Sequence, residues 1–136
     1  MRIDKYQLIF WDFDGVIKES IDVKTQAFVS LFDDYGSEVK NKVRNHHLAN
    51  GGMSRFDKLP LYLRWAEQEI KEETTNEYCN RFSQLVFDGV INSDWVPGSE
   101  SYLKLNSYNQ RFILVSATPQ EELELILEKL NLKECF

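Results

Sequence analysis

The chain has 136 residues, of which 43% are apolar and 28% charged, the balance of a single globular domain of ordinary size and not of a disordered segment. Its formal net charge of −6 argues against a general nucleic-acid binder, which would present a basic face, so any anion site must be local: backbone N–H groups, a few cations or a metal. The two cysteines, Cys79 and Cys135, lack metal-ligand spacing and read as free thiols. No run of residues is long and apolar enough to span a bilayer, and the start Met1-Arg2-Ile3-Asp4-Lys5-Tyr6 carries no cleavage signal, so the expectation is a cytoplasmic protein without a membrane partner.

Tyr6 to Trp11 is a short apolar run that stops at Asp12-Phe13-Asp14-Gly15. Such a run suits a strand buried on both faces of a parallel sheet, with its polar tip at the carboxyl end where open α/β sheets place ligands. From about Ser20 to Asp94 the period becomes helical. Val23, Ala27, Phe28, Leu31, Phe32 and Tyr35 form one stripe, with Gly36 as a stop. Ser37 is a cap for a second helix that runs to Gly51-Gly52. Ser54 and Asp57 fit a capping box for a third, although Pro60 sits awkwardly inside it. Thr74 and Glu77 fit a fourth, with a stop at Gly89. The reading is a four-helix insert.

Val96-Pro97-Gly98 signals a turn, and a short helix follows from Glu100 to about Ser107. Phe112 to Val115 forms a second buried strand, ending in Ser116-Ala117-Thr118. Thr118 as cap, Pro119 at the first helical position and Glu121 open the last helix. Leu123, Ile126, Leu127 and Leu130 give that helix its apolar face, and Asn131 provides a left-handed stop. Two strands are too few for an independent sheet, so the chain looks unfinished instead of small.

Asp12 and Asp14 alternate in an extended segment and can therefore address one site. Neighbouring carboxylates repel, which suits one ionised nucleophile beside one proton donor. Carboxylates at a strand tip also suit Mg²⁺, a hard ion that takes oxygen ligands and bridges to phosphate. Gly15 frees the backbone for a sharp turn close to a ligand. Ser116 ends a second strand just before a helix N-terminus, a place that binds anions through free N–H groups. An ordinary turn and ordinary helix caps would use the same residue types.

Leu8 to Ile17, with four apolar residues before Asp12-Phe13-Asp14-Gly15-Val16, resembles the first motif of the haloacid dehalogenase superfamily. Phe112 to Ser116 resembles its second motif, and Val96-Pro97-Gly98 is similar to the segment that re-enters the core in phosphoglycolate-phosphatase-like members. The resemblance implies an α/β fold: a partial Rossmannoid core of parallel sheet over residues 1–18 and 95–136, with an all-helical cap over 19–94. It further implies Mg²⁺-dependent phosphoryl transfer from a small phosphate ester through an aspartyl-phosphate. Asp12 would be the nucleophile and Asp14 the general acid and base. The Asp12 carboxylate and the Asp14 carbonyl would hold Mg²⁺. Ser116, with Ala117 and Gly15, would bind the phosphoryl group.

The family's third motif supplies a Lys and its fourth supplies acidic metal ligands, and nothing after Ser116 matches either. Lys129 and Lys133 read as solvated surface lysines. The expectation is a truncated chain that by itself binds Mg²⁺ poorly and turns over slowly. Within the cap, Asn50-Gly51-Gly52-Met53-Ser54-Arg55-Phe56-Asp57-Lys58 could present Arg55 and Lys58 to a substrate, or could simply turn them to water. Adjacent His46 and His47 point different ways on a helix and are no ligand pair. A sugar-phosphate mutase and a non-catalytic binding module remain open beside the phosphatase. A receiver-type signalling domain fits less well, because it has no place for the helical insert. Oligomeric state is not legible.

Overall fold

The computed structural model describes residues 2–136. In chain order the elements are β1 (Leu8–Trp11), α1 (Ile21–Ser30), α2 (Gly36–Ala49), α3 (Arg55–Trp65), α4 (Glu72–Asn92), α5 (Ser99–Leu105), β2 (Arg111–Leu114) and α6 (Gln120–Lys129). Single 3₁₀ turns lie at Ile3–Lys5, Asp33–Tyr35 and Lys133–Cys135. The chain divides into two compact units, Met1–Ile21 with Val90–Phe136, and Asp22–Gly89. The division falls at 21/22 and 89/90, where the sequence reading puts it at 18/19 and 94/95.

In the first unit β1 and β2 pair in parallel, with Leu8 opposite Arg111 and Trp11 opposite Leu114. The N–H of Val115 carries the ladder one step further, donating to the Trp11 carbonyl at 2.8 Å. Side chains alternate across the sheet. On one face Trp11 and Phe112 pack edge to face at 5.6 Å, and Tyr102 of α5 lies 5.8 Å from Trp11. The other face differs from the expectation of strands buried on both sides: Leu8 is 43%, Phe10 64% and Val115 57% exposed. Two strands leave that face without a covering layer among the described residues. Phe13, Ile17, Leu103, Ile126 and Leu132 form this unit's buried core. Each such side chain contributes roughly 1.5–3 kcal/mol by leaving water.

The second unit is helical. Its core is aromatic: Phe28 stacks on Phe82 with centroids 4.0 Å apart, and Tyr62 meets Phe28 and Phe32 edge to face at 5.7 and 6.0 Å. Ser54 caps α3 as expected, its hydroxyl accepting from Phe56 N–H at 3.2 Å. Pro60 lies within α3 without ending it.

Three expected boundaries shift. Gly36 opens α2 instead of closing the stripe, because α1 already ends at Ser30. Gly89 is not a stop, since α4 continues to Asn92. A Cβ at Gly89 would lie 2.7 Å from Val23 Cγ1, so this glycine serves close packing against α1. Before α6 the cap position is Pro119, not Thr118, and Pro119 has no side-chain cap bond to give.

The hydroxyls of Tyr35 and Tyr78 lie 2.9 Å apart. Burial, reinforced by the bond to Tyr35, pushes the Tyr78 phenol up to about 12. The folded value exceeds that of an unfolded chain. The stabilisation is therefore whole below about pH 10 and is lost as pH rises towards the folded value. Alkaline titration should show tyrosinate absorbance and loss of the helical circular dichroism signal rising together in that window. Full tyrosinate formation near pH 10 in a still-folded chain would contradict this.

Candidate active site

The segment after β1 is folded back on itself. The N–H groups of Val16, Ile17 and Lys18 all point at the Phe13 carbonyl, at 3.3, 2.9 and 3.3 Å. Gly15 sits at φ +74°, a conformation that costs a side-chain-bearing residue about 1 kcal/mol or more, and its N–H donates to the Lys18 carbonyl at 2.7 Å. This turn is pinned to the returning chain. Glu19 N–H donates to Asp94 O at 2.8 Å, Val96 N–H to Ile17 O at 3.0 Å, and Ser99 Oγ to Ile17 O at 2.9 Å. Lys18 is 2% exposed and holds its ammonium 4.3 Å from the Trp95 ring centre. Desolvation lowers its pKa, and the carboxylates of Glu100 and Asp94 pull it back up.

On this frame Asp12 is exposed and its Oδ1 accepts from Phe13 N–H at 2.6 Å. Asp14 is half-buried, and its Oδ1 accepts from Ser20 Oγ at 2.6 Å. Ser116 is half-buried just past β2, and its Oγ accepts from Thr118 N–H at 3.2 Å, while Ala117 is exposed. Because β1 and β2 are parallel and in register from Leu8/Arg111 to Trp11/Leu114, Asp12 and Ser116 both lie just beyond the carboxyl ends of adjacent strands. Asp12, Asp14, Gly15, Ser116 and Ala117 thus share one unit and one end of its sheet.

Arg55 and Lys58 belong to the helical unit, and neither is turned to water. Arg55 is 4% exposed, donates from Nη1 to Ser83 Oγ at 2.6 Å and lies over the Phe82 ring at 4.6 Å. Lys58 is 1% exposed, with Nζ 3.0 Å from His47 Nδ1 and 5.5 Å from the Phe28 ring centre. Three residues apart, they share the face of α3 that also buries Leu59 and Tyr62. His47 is buried as part of this packing, whereas His46 bonds the Tyr62 hydroxyl at 3.0 Å. Lys129 and Lys133 are exposed.

Sequence reasoning passed over Ser20, which is fully buried against Asp14. The available signal was only its place six residues after Asp14 at a helix start, where a serine ordinarily reads as a cap. Among the described residues no group of three or more His, Cys, Asp or Glu side chains is placed to hold a metal. The oxygens at the end of β1 still suit Mg²⁺, which binds through one or two carboxylates and keeps several waters.

No family model and no curated protein matches this sequence. Solved structures do. A hydrolase from Pseudomonas syringae superposes with a TM-score of 0.70 at 19% identity, over 94% of this chain and 57% of that one. A predicted phosphoglycolate phosphatase from Haemophilus somnus gives a TM-score of 0.65 at 17% identity, over 99% of this chain and 62% of that one. The chain shares the α/β fold of these two structures over the part of each that it covers. It spans about three-fifths of the length of these structural relatives. In the terms of that fold, the parallel strands β1 and β2 carry Asp12, Asp14 and Ser116, and α1 to α4 are the helical region inserted between them. Among the described residues no helix is long and apolar enough to cross a membrane.

Proposed function

We propose that this chain carries the nucleophile site of a Mg²⁺-dependent phosphatase that acts on a small phosphorylated metabolite through an aspartyl-phosphate. The observation that carries the reading is the parallel pairing of β1 with β2, which brings the tip bearing Asp12 and Asp14 beside the tip bearing Ser116. The exposed Asp12 carboxylate attacks phosphorus, forming an acyl phosphate as the ester oxygen departs. Asp14 gives the departing oxygen its proton, and the resulting carboxylate then takes a proton from the water that cleaves the aspartyl-phosphate. Ser116 accepts from Thr118 N–H, which leaves its hydroxyl proton to donate to a phosphoryl oxygen, with the exposed Ala117 backbone beside it. Gly15 contributes the turn that holds Asp12 and Asp14 at one site.

The Asp12 carboxylate and the Asp14 carbonyl are the groups that would hold Mg²⁺, which supplies charge neutralisation at the phosphoryl oxygens when bound. Arg55 and Lys58 have a lesser part in the reading, since their side chains already bond Ser83 and His47. Slow hydrolysis of p-nitrophenyl phosphate by the chain is expected with Mg²⁺, lost on addition of EDTA and restored by excess Mg²⁺. Turnover that is indifferent to the chelator would rule this reading out.

A further inference from the structure

The turn that joins α2 to α3 carries Asn50-Gly51-Gly52, a stretch that takes no part in the mechanism above. The chain has nine asparagines, and Asn50 is the one followed by glycine. Its backbone closes α2 with φ −132° and ψ 52°, and its N–H donates to the His47 carbonyl at 3.2 Å. Its side chain lies across the end of the helix, where Nδ2 donates to the His46 carbonyl at 2.9 Å. Gly51 and Gly52 are exposed, and among the described residues the Gly51 N–H meets no acceptor. Space does not dictate either glycine: a Cβ built on either would meet nothing within 4 Å, and neither has a positive φ. The fold therefore does not require glycine at position 51.

We propose that Asn50 is a site of covalent self-modification, at which the Gly51 backbone amide attacks the Asn50 side chain and converts it to isoaspartate or aspartate. The Gly51 nitrogen gives its proton to solvent base and attacks Asn50 Cγ. The new N–Cγ bond closes a five-membered imide, and Nδ2 takes up a proton and leaves as ammonia. Water then adds to one of the two imide carbonyls and breaks that carbonyl's bond to the Gly51 nitrogen. Opening at Cγ gives aspartate, whereas opening at the main-chain carbonyl leaves the backbone running through Cγ as isoaspartate. Water is the only co-reactant. A glycine nitrogen suits the attack because no Cβ stands beside it. The carboxamide under attack is held by its bond to the His46 carbonyl at a helix end, where local opening is easiest. Asn106 provides the contrast. Its amide is held at both ends, Nδ2 donating to the Gln110 carbonyl at 2.7 Å and Oδ1 accepting from Gln110 N–H at 2.8 Å, and serine follows it.

The conversion acts on α2. A carboxylate at position 50 cannot donate, so the His46 carbonyl loses its partner, and a negative charge stands at the negative end of the helix dipole. Isoaspartate also lengthens the backbone of the turn by one carbon. The last turn of α2 carries His46 and His47, which meet Tyr62 and Lys58 of α3, so fraying there loosens the helical unit.

The test is peptide mapping of the whole chain after incubation at mildly alkaline pH. Trypsin cuts the unfolded product after Arg44 and Arg55, and fragmentation of the released peptide separates position 50 from Asn45. Asn50 should lose its amide at least about tenfold faster than Asn106, with isoaspartate as the larger product, and Gly51→Ala should slow the conversion at least about tenfold, since a Cβ beside the nitrogen hinders the attack. Gly51→Ala should melt no lower than the parent, because its methyl group enters open space. Asn50→Asp, which carries the charge from the start, should melt below the parent. Amide loss at Asn50 no faster than at Asn106, an Ala variant that converts at the parent rate, or a product of aspartate alone would each overturn the proposal, the last because direct hydrolysis forms no imide. An Asn50→Asp chain that melts as the parent does would overturn the loosening of α2.

Discussion

Asp12→Asn should reduce Mg²⁺-dependent hydrolysis of p-nitrophenyl phosphate by at least about 10³-fold, the scale of loss seen when a covalent nucleophile is removed. The substitution is nearly isosteric. The amide oxygen of Asn can still accept from Phe13 N–H, the one bond recorded for the Asp12 side chain. What disappears is the negative charge, which in the proposed mechanism makes the oxygen a nucleophile and draws the metal. Asp12 is exposed, so the folded chain loses no packing, and its thermal midpoint should stay close to that of the parent. Those two results separate chemistry from collapse: a dead variant that melts normally points to the carboxylate itself. A variant that retains more than about a tenth of parent activity would exclude an aspartyl-phosphate at this position. Asp14→Asn is informative beside it, because loss of the acid spares esters with good leaving groups, whereas loss of the nucleophile spares none.

The two strands and the polar segments at their ends were legible because they rest on short-range rules. An apolar run interrupted by Asp12-Phe13-Asp14-Gly15 has few other readings, and the strands are found within two residues of where the run predicts them. Ser54 was legible as a cap for the same reason, since its partner is two residues away. What failed depends on distant partners. Gly89 looks like a stop in one dimension, yet in three it makes room for Val23, more than sixty residues earlier. Arg55 and Lys58 read as loop-side cations because charged residues after a Gly-Gly pair usually face water. Their long apolar stems instead lie along the aromatic core, with the charged heads over Phe82 and Phe28. Lys18 is a similar case: it is buried on Trp95, whose position next to it is set by the bridge between these two residues. Ser20 was passed over because what marks it is a side-chain bond to Asp14, and no periodicity reports side-chain bonds.

That aromatic core gives the second large effect. Phe28→Ala should destabilise the chain by about 3–5 kcal/mol, the cost of removing a buried phenyl ring from a site that cannot collapse. Phe28 is 3% exposed and lies between groups from three other helices: Phe82 of α4 at 4.0 Å, His47 of α2 at 4.8 Å and Tyr62 of α3 at 5.7 Å. Helical backbones on several sides keep the cavity open. The ring also offers its face to the Lys58 ammonium at 5.5 Å, so its loss takes away both dispersion contacts and part of a buried cation's compensation. Set against a total stability of about 5–15 kcal/mol for a domain, this is about a fifth of the whole or more. Phe56, also on α3 but 52% exposed, provides the control: Phe56→Ala should move stability by no more than about 0.5 kcal/mol. Urea unfolding followed by far-ultraviolet circular dichroism measures both variants. A loss below about 1 kcal/mol for Phe28→Ala would mean that neighbouring side chains refill the space and that the stacked pair with Phe82 is not what holds the helical unit together.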